Sequence, residues 1–162
     1  MIVLAPECKE LVEILALPPA KLADPNVLLP AVKVTLQQGL IAAAAQGRPI
    51  SGKFEVDEGH FQLSVYTQQG KNFSEVIVDH QTGKVTKVEQ ITEGEDLAEV
   101  KSQAAALAQK SFSLRAAVDK AEKSLVGSRA VSVTPELKSG HTVAVVSLLK
   151  DGKYSSVSEP LE

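Results

Sequence analysis

Between Gly47 and Val85 the chain reads GRPISGKFEVDEGHFQLSVYTQQGKNFSEVIVDHQTGKV, three alternating apolar segments separated by glycine-bearing turns. Gly59, Gly70 and Gly83 each stand late in their turn, where a short hairpin loop commonly needs a residue at positive φ. The stretch therefore predicts an antiparallel meander. Ile50, Phe54 and Val56 share one face of a first strand, and Phe61, Leu63 and Val65 share one face of a second. Gln62, Ser64 and Tyr66 fall on the second strand's other face, so one side is expected buried and one wet. A third strand over Phe73–Asp79 runs into Asp79-His80-Gln81-Thr82-Gly83, where the Asp79 carboxylate can accept from the turn's own N–H groups. A fourth strand over Lys84–Gln90 follows.

Helical periodicity flanks the meander. Thr35 is placed to cap a helix running to about Gln46, with Leu36, Leu40 and Ala43, joined by Ile41, on its apolar stripe and Gly47 ending it. Thr92 and Glu95 have capping-box spacing ahead of Leu97, Val100, Ala104, Leu107 and Ala108, which predicts a helix from Thr92 to Lys110. Ser113 starts another, in which Leu114, Ala117, Val118, Ala121 and Leu125 repeat until Gly127. Upstream, Pro6–Ala16 reads as a short helix that includes the lone Cys8, stopped by Pro18-Pro19, and Ala20–Pro30 reads as a connector broken by prolines.

The second half repeats the first. Gly47 to Gly127 is 80 residues, His60 to His141 is 81, and Gly70 to Gly152 is 82. A period this long points to duplication of a whole helix-plus-meander unit. The expected fold is α+β: two tandem helix-on-antiparallel-sheet units, the first with four strands and the second with three. Residues 1–30 form a helical segment and linker, 31–91 the first unit, and 92–162 the second with its leading helix.

The capped helix, Gly47, the two hairpins and the closing Val78-Asp79-His80-Gln81-Thr82-Gly83-Lys84-Val85 together resemble a PepSY domain. The resemblance covers Val34 to about Val88. It extends more weakly from Ser113 onward, because Ser158-Glu159-Pro160 stands where the first copy has Val78-Asp79-His80, and the second copy reads as truncated. It implies a cystatin-like fold, an extracytoplasmic (periplasmic or secreted) location, and a non-enzymatic binding or regulatory module that restrains a protein partner such as a peptidase. The alternative is a small-ligand-binding protein or enzyme using the concave face of such a sheet.

Composition narrows the function classes. Seventeen basic against twenty acidic residues give a net charge of −3, which offers no basic field to a nucleic acid. The longest apolar run, Leu40–Ala45, is far shorter than the roughly 20 residues of a membrane-crossing helix. The opening MIVLAPECKE lacks the pattern of a signal peptide, so if the protein is exported its signal is expected to lie outside this chain, and this stretch leaves the compartment open.

Catalytic, cofactor and metal residues are all expected to be none. His60 and His141 both follow turn glycines at strand starts, and no helical i, i+3 or i, i+4 set includes a histidine. The acidic groups Asp57-Glu58 and Glu93, Glu95 and Asp96 fall on a hairpin tip and a first helical turn, where solvation and the helix dipole account for them. Ser111, Ser113, Ser155 and Ser156 lack a glycine-rich elbow, and Gly70-Lys71 and Gly152-Lys153 lack a phosphate loop's surroundings. The candidate interface is Val143, Val145 and Leu149, which make the penultimate strand apolar on both faces together with Ala144, Val146 and Leu148. These three are expected to pack against the other unit, the segment from Pro6 to Leu17, or a second chain in a homodimer.

Overall fold

The computed structural model describes residues 32–107 and 113–161. The expected N-terminal helix, its Cys8 and the Ala20–Pro30 connector lie outside the described residues. Helix α1 (Leu36–Ala43) starts at Thr35, whose side chain accepts from the Gln38 N–H while the Gln38 side chain accepts from the Thr35 N–H, a reciprocal capping box. A 3₁₀ turn (Ala44–Gln46) then leads into strands β1 (Arg48–Asp57), β2 (His60–Gln69), β3 (Asn72–Val78) and β4 (Val85–Ile91). Helix α2 (Gly94–Leu107) and helix α3 (Leu114–Ser124) precede β5 (Arg129–Lys138), β6 (His141–Lys150) and β7 (Lys153–Pro160).

The seven strands among the described residues form one antiparallel sheet in the order β4-β3-β2-β1-β5-β6-β7. The sheet is continuous because β1 and β5 pair directly, with Gly52 opposite Val133 and Lys53 opposite Ser132. Registers on the two sides of this seam match at a constant offset of 81 residues. Asp57 pairs with His60 as Lys138 does with His141, and Gln69 pairs with Asn72 as Lys150 does with Lys153. Each first strand also carries a register shift, between Pro49 and Ser51 and between Ala130 and Ser132. The drift of 80 to 82 read from glycines is thereby corrected. Gly70 corresponds to Asp151, not Gly152, because the second turn is built with Asp151 at φ 51° followed by Gly152.

α1 packs on β1, β2 and β3, and α3 packs on β5, β6 and β7, side by side on one face of the sheet. Beneath them Ile50, Leu63, Val65, Val76, Val78, Val133, Val146 and Leu148 of the sheet are fully buried, as is Val118 on α3, and each such side chain contributes roughly 1.5–3 kcal/mol. The helix-to-sheet approach is close at Gly39, where a Cβ would lie 2.3 Å from Leu63 Cδ2.

The expectation that Ser64 and Tyr66 face water is overturned: they are 2% and 7% exposed. α2 lies across that face, against β1 and β5, and the Ser51 hydroxyl bonds to Gln103 of the helix at 2.8 Å. α2 also begins later than expected, at Gly94, with Glu95 and Asp96 in its first turn, so Thr92 is not its capping position. α3 begins as expected, the Ser113 side chain accepting from the Ala116 N–H.

Gly83 sits at φ 78°, a region that a β-branched residue enters only under strain. Gly83→Val is expected to lower unfolding stability by roughly 1–3 kcal/mol, read as a shift in the denaturant midpoint. An unchanged midpoint would contradict this account of the β3–β4 turn.

Candidate functional site

The β3–β4 turn is built around Asp79. Its Oδ1 accepts from the N–H groups of Gln81 (2.8 Å) and Thr82 (2.9 Å), as the sequence predicts, while its own N–H donates to the Lys84 carbonyl at 2.8 Å. Those N–H groups, Thr82 first and then Gln81, hold the Asp79 carboxyl below its usual range. Next to it, the His80 carbonyl accepts from the N–H groups of Lys33 (3.0 Å) and Val34 (3.1 Å), pinning the segment that enters α1. The His80 ring meets Phe61 edge-on at 5.1 Å, and burial pushes its pKa down against the pull of Asp79. His80 thus packs against Phe61 at this joint.

Arg129 makes the matching link from the second half of the chain. Its guanidinium donates to the Val34 carbonyl at 2.9 Å and lies 5.8 Å from the Phe54 ring centroid. Burial lowers its pKa while Glu122 opposes the shift. Glu122 in turn accepts from the Ala130 N–H at 2.8 Å and from the Gln37 side chain, so one carboxylate ties α3 to both α1 and β5.

Under α2 lies a polar floor. Gln103 accepts from Ser51 and donates to Glu99 at 3.2 Å, the Ser64 hydroxyl donates to Glu55 at 2.6 Å, and Lys53 pairs with Glu55 at 3.3 Å beside the Tyr66 ring. Burial, followed by the charges of Glu75, Asp96, Glu55 and Glu99, drives the Tyr66 hydroxyl far above its usual pKa. Burial likewise raises Glu75, with the Ser64 hydroxyl opposing and Glu55, Asp57 and Asp96 adding to the rise. Such shifts can mark an acid–base site. Here the space enclosed by Ser51, Lys53, Ser64, Tyr66, Glu99, Gln103 and Thr134 is about 20 Å³, room for a water molecule and no substrate.

Other residues flagged by the sequence are scattered. His60 and His141 are exposed at matching hairpin stations, Asp57 and Glu58 are exposed at a hairpin tip, and Ser155 and Ser156 lie on β7. Ser113 is spent on its cap, and Ser111 lies outside the described residues. Among the described residues no group of three or more His, Cys, Asp or Glu could hold a metal ion. Val143, Val145 and Leu149 are half-buried on one face of β6, opposite Glu136, Thr134 and Arg129 of β5 and Pro160, Ser158 and Tyr154 of β7, and Leu149 packs against the core.

Two kinds of surface could receive another molecule. An apolar groove of about 220 Å³ runs between the C-terminal half of α1 and the start of α3, lined by Leu40, Ile41, Ala44 and Leu114 with Arg48 and Arg115. Among the described residues the sheet also ends in β4 and β7, whose outer backbone groups have no neighbouring strand there. The two edges follow from strand order, which hydrophobic periodicity does not reveal.

No family model and no curated protein sequence matches the chain. Among solved structures, the chain is similar to the crystal structure of a "putative lipoprotein" from Clostridium difficile 630, at 14% identity and a TM-score of 0.41, covering 70% of this chain and 75% of that one. No helix among the described residues is long and apolar enough to cross a membrane.

The acid behaviour of the β3–β4 joint follows from the two depressed pKa values. His80 contributes stability that is complete above its unfolded value of 6.5 and is lost as pH falls toward and through its lower folded value. Asp79 contributes stability that is complete above 3.8 and is lost as pH falls through its own lower value. Asp79→Ala is expected to cost about 1 kcal/mol at pH 7, an allowance already reduced for the solvent exposure of the carboxylate. Denaturant titrations from pH 7 to pH 2 check it: the gap between wild type and variant should narrow below pH 3.8, and a pH-independent gap would assign the loss to something other than the carboxylate.

Proposed function

We propose that the chain is a non-enzymatic, extracytoplasmic binding module made of two tandem PepSY-like, cystatin-like units, which restrains a protein partner such as a peptidase. The observation that carries this reading is the sheet of seven strands which, among the described residues, ends in two exposed strands, β4 and β7. An exposed edge offers a row of backbone donors and acceptors to an extended segment of another protein, and alternate side chains then supply selectivity. The PepSY-like reading draws support from the Asp79 turn closed by Gly83 and from the constant offset of 81 residues between the two registers. It draws further support from α1 and α3 covering corresponding strands on one face.

The competing reading, a carrier or enzyme for a small ligand, calls for an enclosed pocket of some 300–1,000 Å³ with convergent polar groups. The groove between α1 and α3 is smaller, at about 220 Å³, and the polar floor under α2 is taken up by internal hydrogen bonds. Among the described residues, these two volumes support the binding module over the carrier.

The test is affinity capture from an envelope extract of the source organism with the immobilised chain, followed by assay of any recovered peptidase against the purified protein. The expected result is a peptidase whose activity falls as the chain is added. Recovery of no protein, together with a small molecule retained through purification, would overturn the proposal in favour of the carrier.

A further inference from the structure

Among the described residues β4 closes one end of the sheet, and its residues Thr86–Gln90 are all exposed. Its central Val88 is 45% exposed, and the side chains of Lys87 and Glu89 are 64% and 61% exposed in a 2.9 Å ion pair. Native edges of this length are commonly protected by charge, which repels a second strand when like charges meet. The order of residues in β4 has the opposite property. Val85-Thr86-Lys87-Val88-Glu89-Gln90-Ile91 is symmetric in chemical type about Val88: aliphatic residues at both ends, uncharged polar residues inside them, and opposite charges flanking the centre.

We infer that β4 is a self-association edge, on which a second copy of this chain pairs antiparallel through its own β4 about a twofold axis at Val88. The axis stands normal to the sheet, so it preserves the faces and has to lie midway between a residue and its own copy, because neighbours along a strand point to opposite sides. An axis at Lys87 or at Glu89 sets like charges directly opposite each other, which is destabilising. The axis at Val88 sets Lys87 opposite the second copy's Glu89 and Glu89 opposite the second copy's Lys87, with Val85 opposite Ile91. It also places a lysine at the end of an acidic row, because Glu89 already stands across from Glu75 of β3.

The chain already contains a contact of this kind: β1 and β5 pair antiparallel about Gly52 and Val133, two residues 81 apart that occupy the same station in matching registers. The other end of the sheet lacks this complementarity. In β7 the carboxylate Glu159 is buried against Lys120 at 3.5 Å, and Pro160 has no N–H to offer. The inference stands apart from the peptidase reading, since β7 remains open in the resulting dimer.

A single strand pair gives an interface at the small end of the specific range, so self-association is expected between ~10 µM and ~1 mM protein at low salt. Sedimentation equilibrium across that range tests it, with circular dichroism reporting the fold. Lys87→Glu alone and Glu89→Lys alone each oppose like charges twice and should weaken the dimer at least about tenfold. The doubly reversed variant K87E/E89K should recover wild-type affinity to within about threefold, and an equimolar mixture of the two single variants should form a heterodimer. A wild-type chain that stays monomeric throughout, or a dimer indifferent to the single reversals, would overturn the inference.

Discussion

The arrangement of this molecule depends on the short antiparallel contact between β1 and β5. Only Gly52 with Val133 and Lys53 with Ser132 form its register, yet it turns a four-stranded and a three-stranded meander into one sheet. Because the two strands meet at corresponding residues, the helices above them fall on the same side and touch. Gln37 of α1 then reaches Asp119 and Glu122 of α3. The seam also explains an asymmetry between the halves. A Cβ at position 52 would approach Leu40 Cδ2 at 3.2 Å and Leu36 Cδ1 at 3.3 Å, so glycine there lets α1 settle onto the sheet, while the opposing Val133 is fully buried.

Once the halves are joined, the face away from α1 and α3 becomes broad enough for α2 to cross at the seam. That crossing buries hydroxyl, amide and carboxylate groups, which is unfavourable unless each finds a partner. Ser51 finds Gln103, Gln103 finds Glu99, and Ser64 finds Glu55. Beside this floor, burial also pushes up the pKa of Glu75 and of Tyr66. On the opposite face Arg129 plays a comparable part, giving its guanidinium to the carbonyls of Val32 and Val34 and so fixing the entry to α1 from a strand nearly 100 residues later.

Local signals in the sequence carried the elements well, and for physical reasons. Thr35 and Ser113 announce their helices because an N-cap is a contact over three residues, and Asp79 with Gly83 announces its turn because the carboxylate serves its own backbone. The edge-to-edge seam was not legible, since two strands 81 residues apart are joined by backbone groups that every residue carries. The burial of Ser64 and Tyr66 was hidden for the same reason: alternation tells which residues share a face, and α2 decides afterwards that the polar face is covered too. Position 92 looked like a cap because Thr92 and Glu95 have the right spacing, but the helix begins at Gly94. At the candidate surfaces, the triad Val143, Val145 and Leu149 was visible as an apolar stripe, whereas the exposed edges emerge only from strand order.

The central claim is that β1 and β5 are neighbours in one sheet. Cross-strand backbone NOEs measured on the isotopically labelled full chain test it most directly. The account predicts NOEs joining Gly52 to Val133 and Lys53 to Ser132, alongside those within each meander. Complete NOE ladders within each meander, with none between β1 and β5, would contradict it.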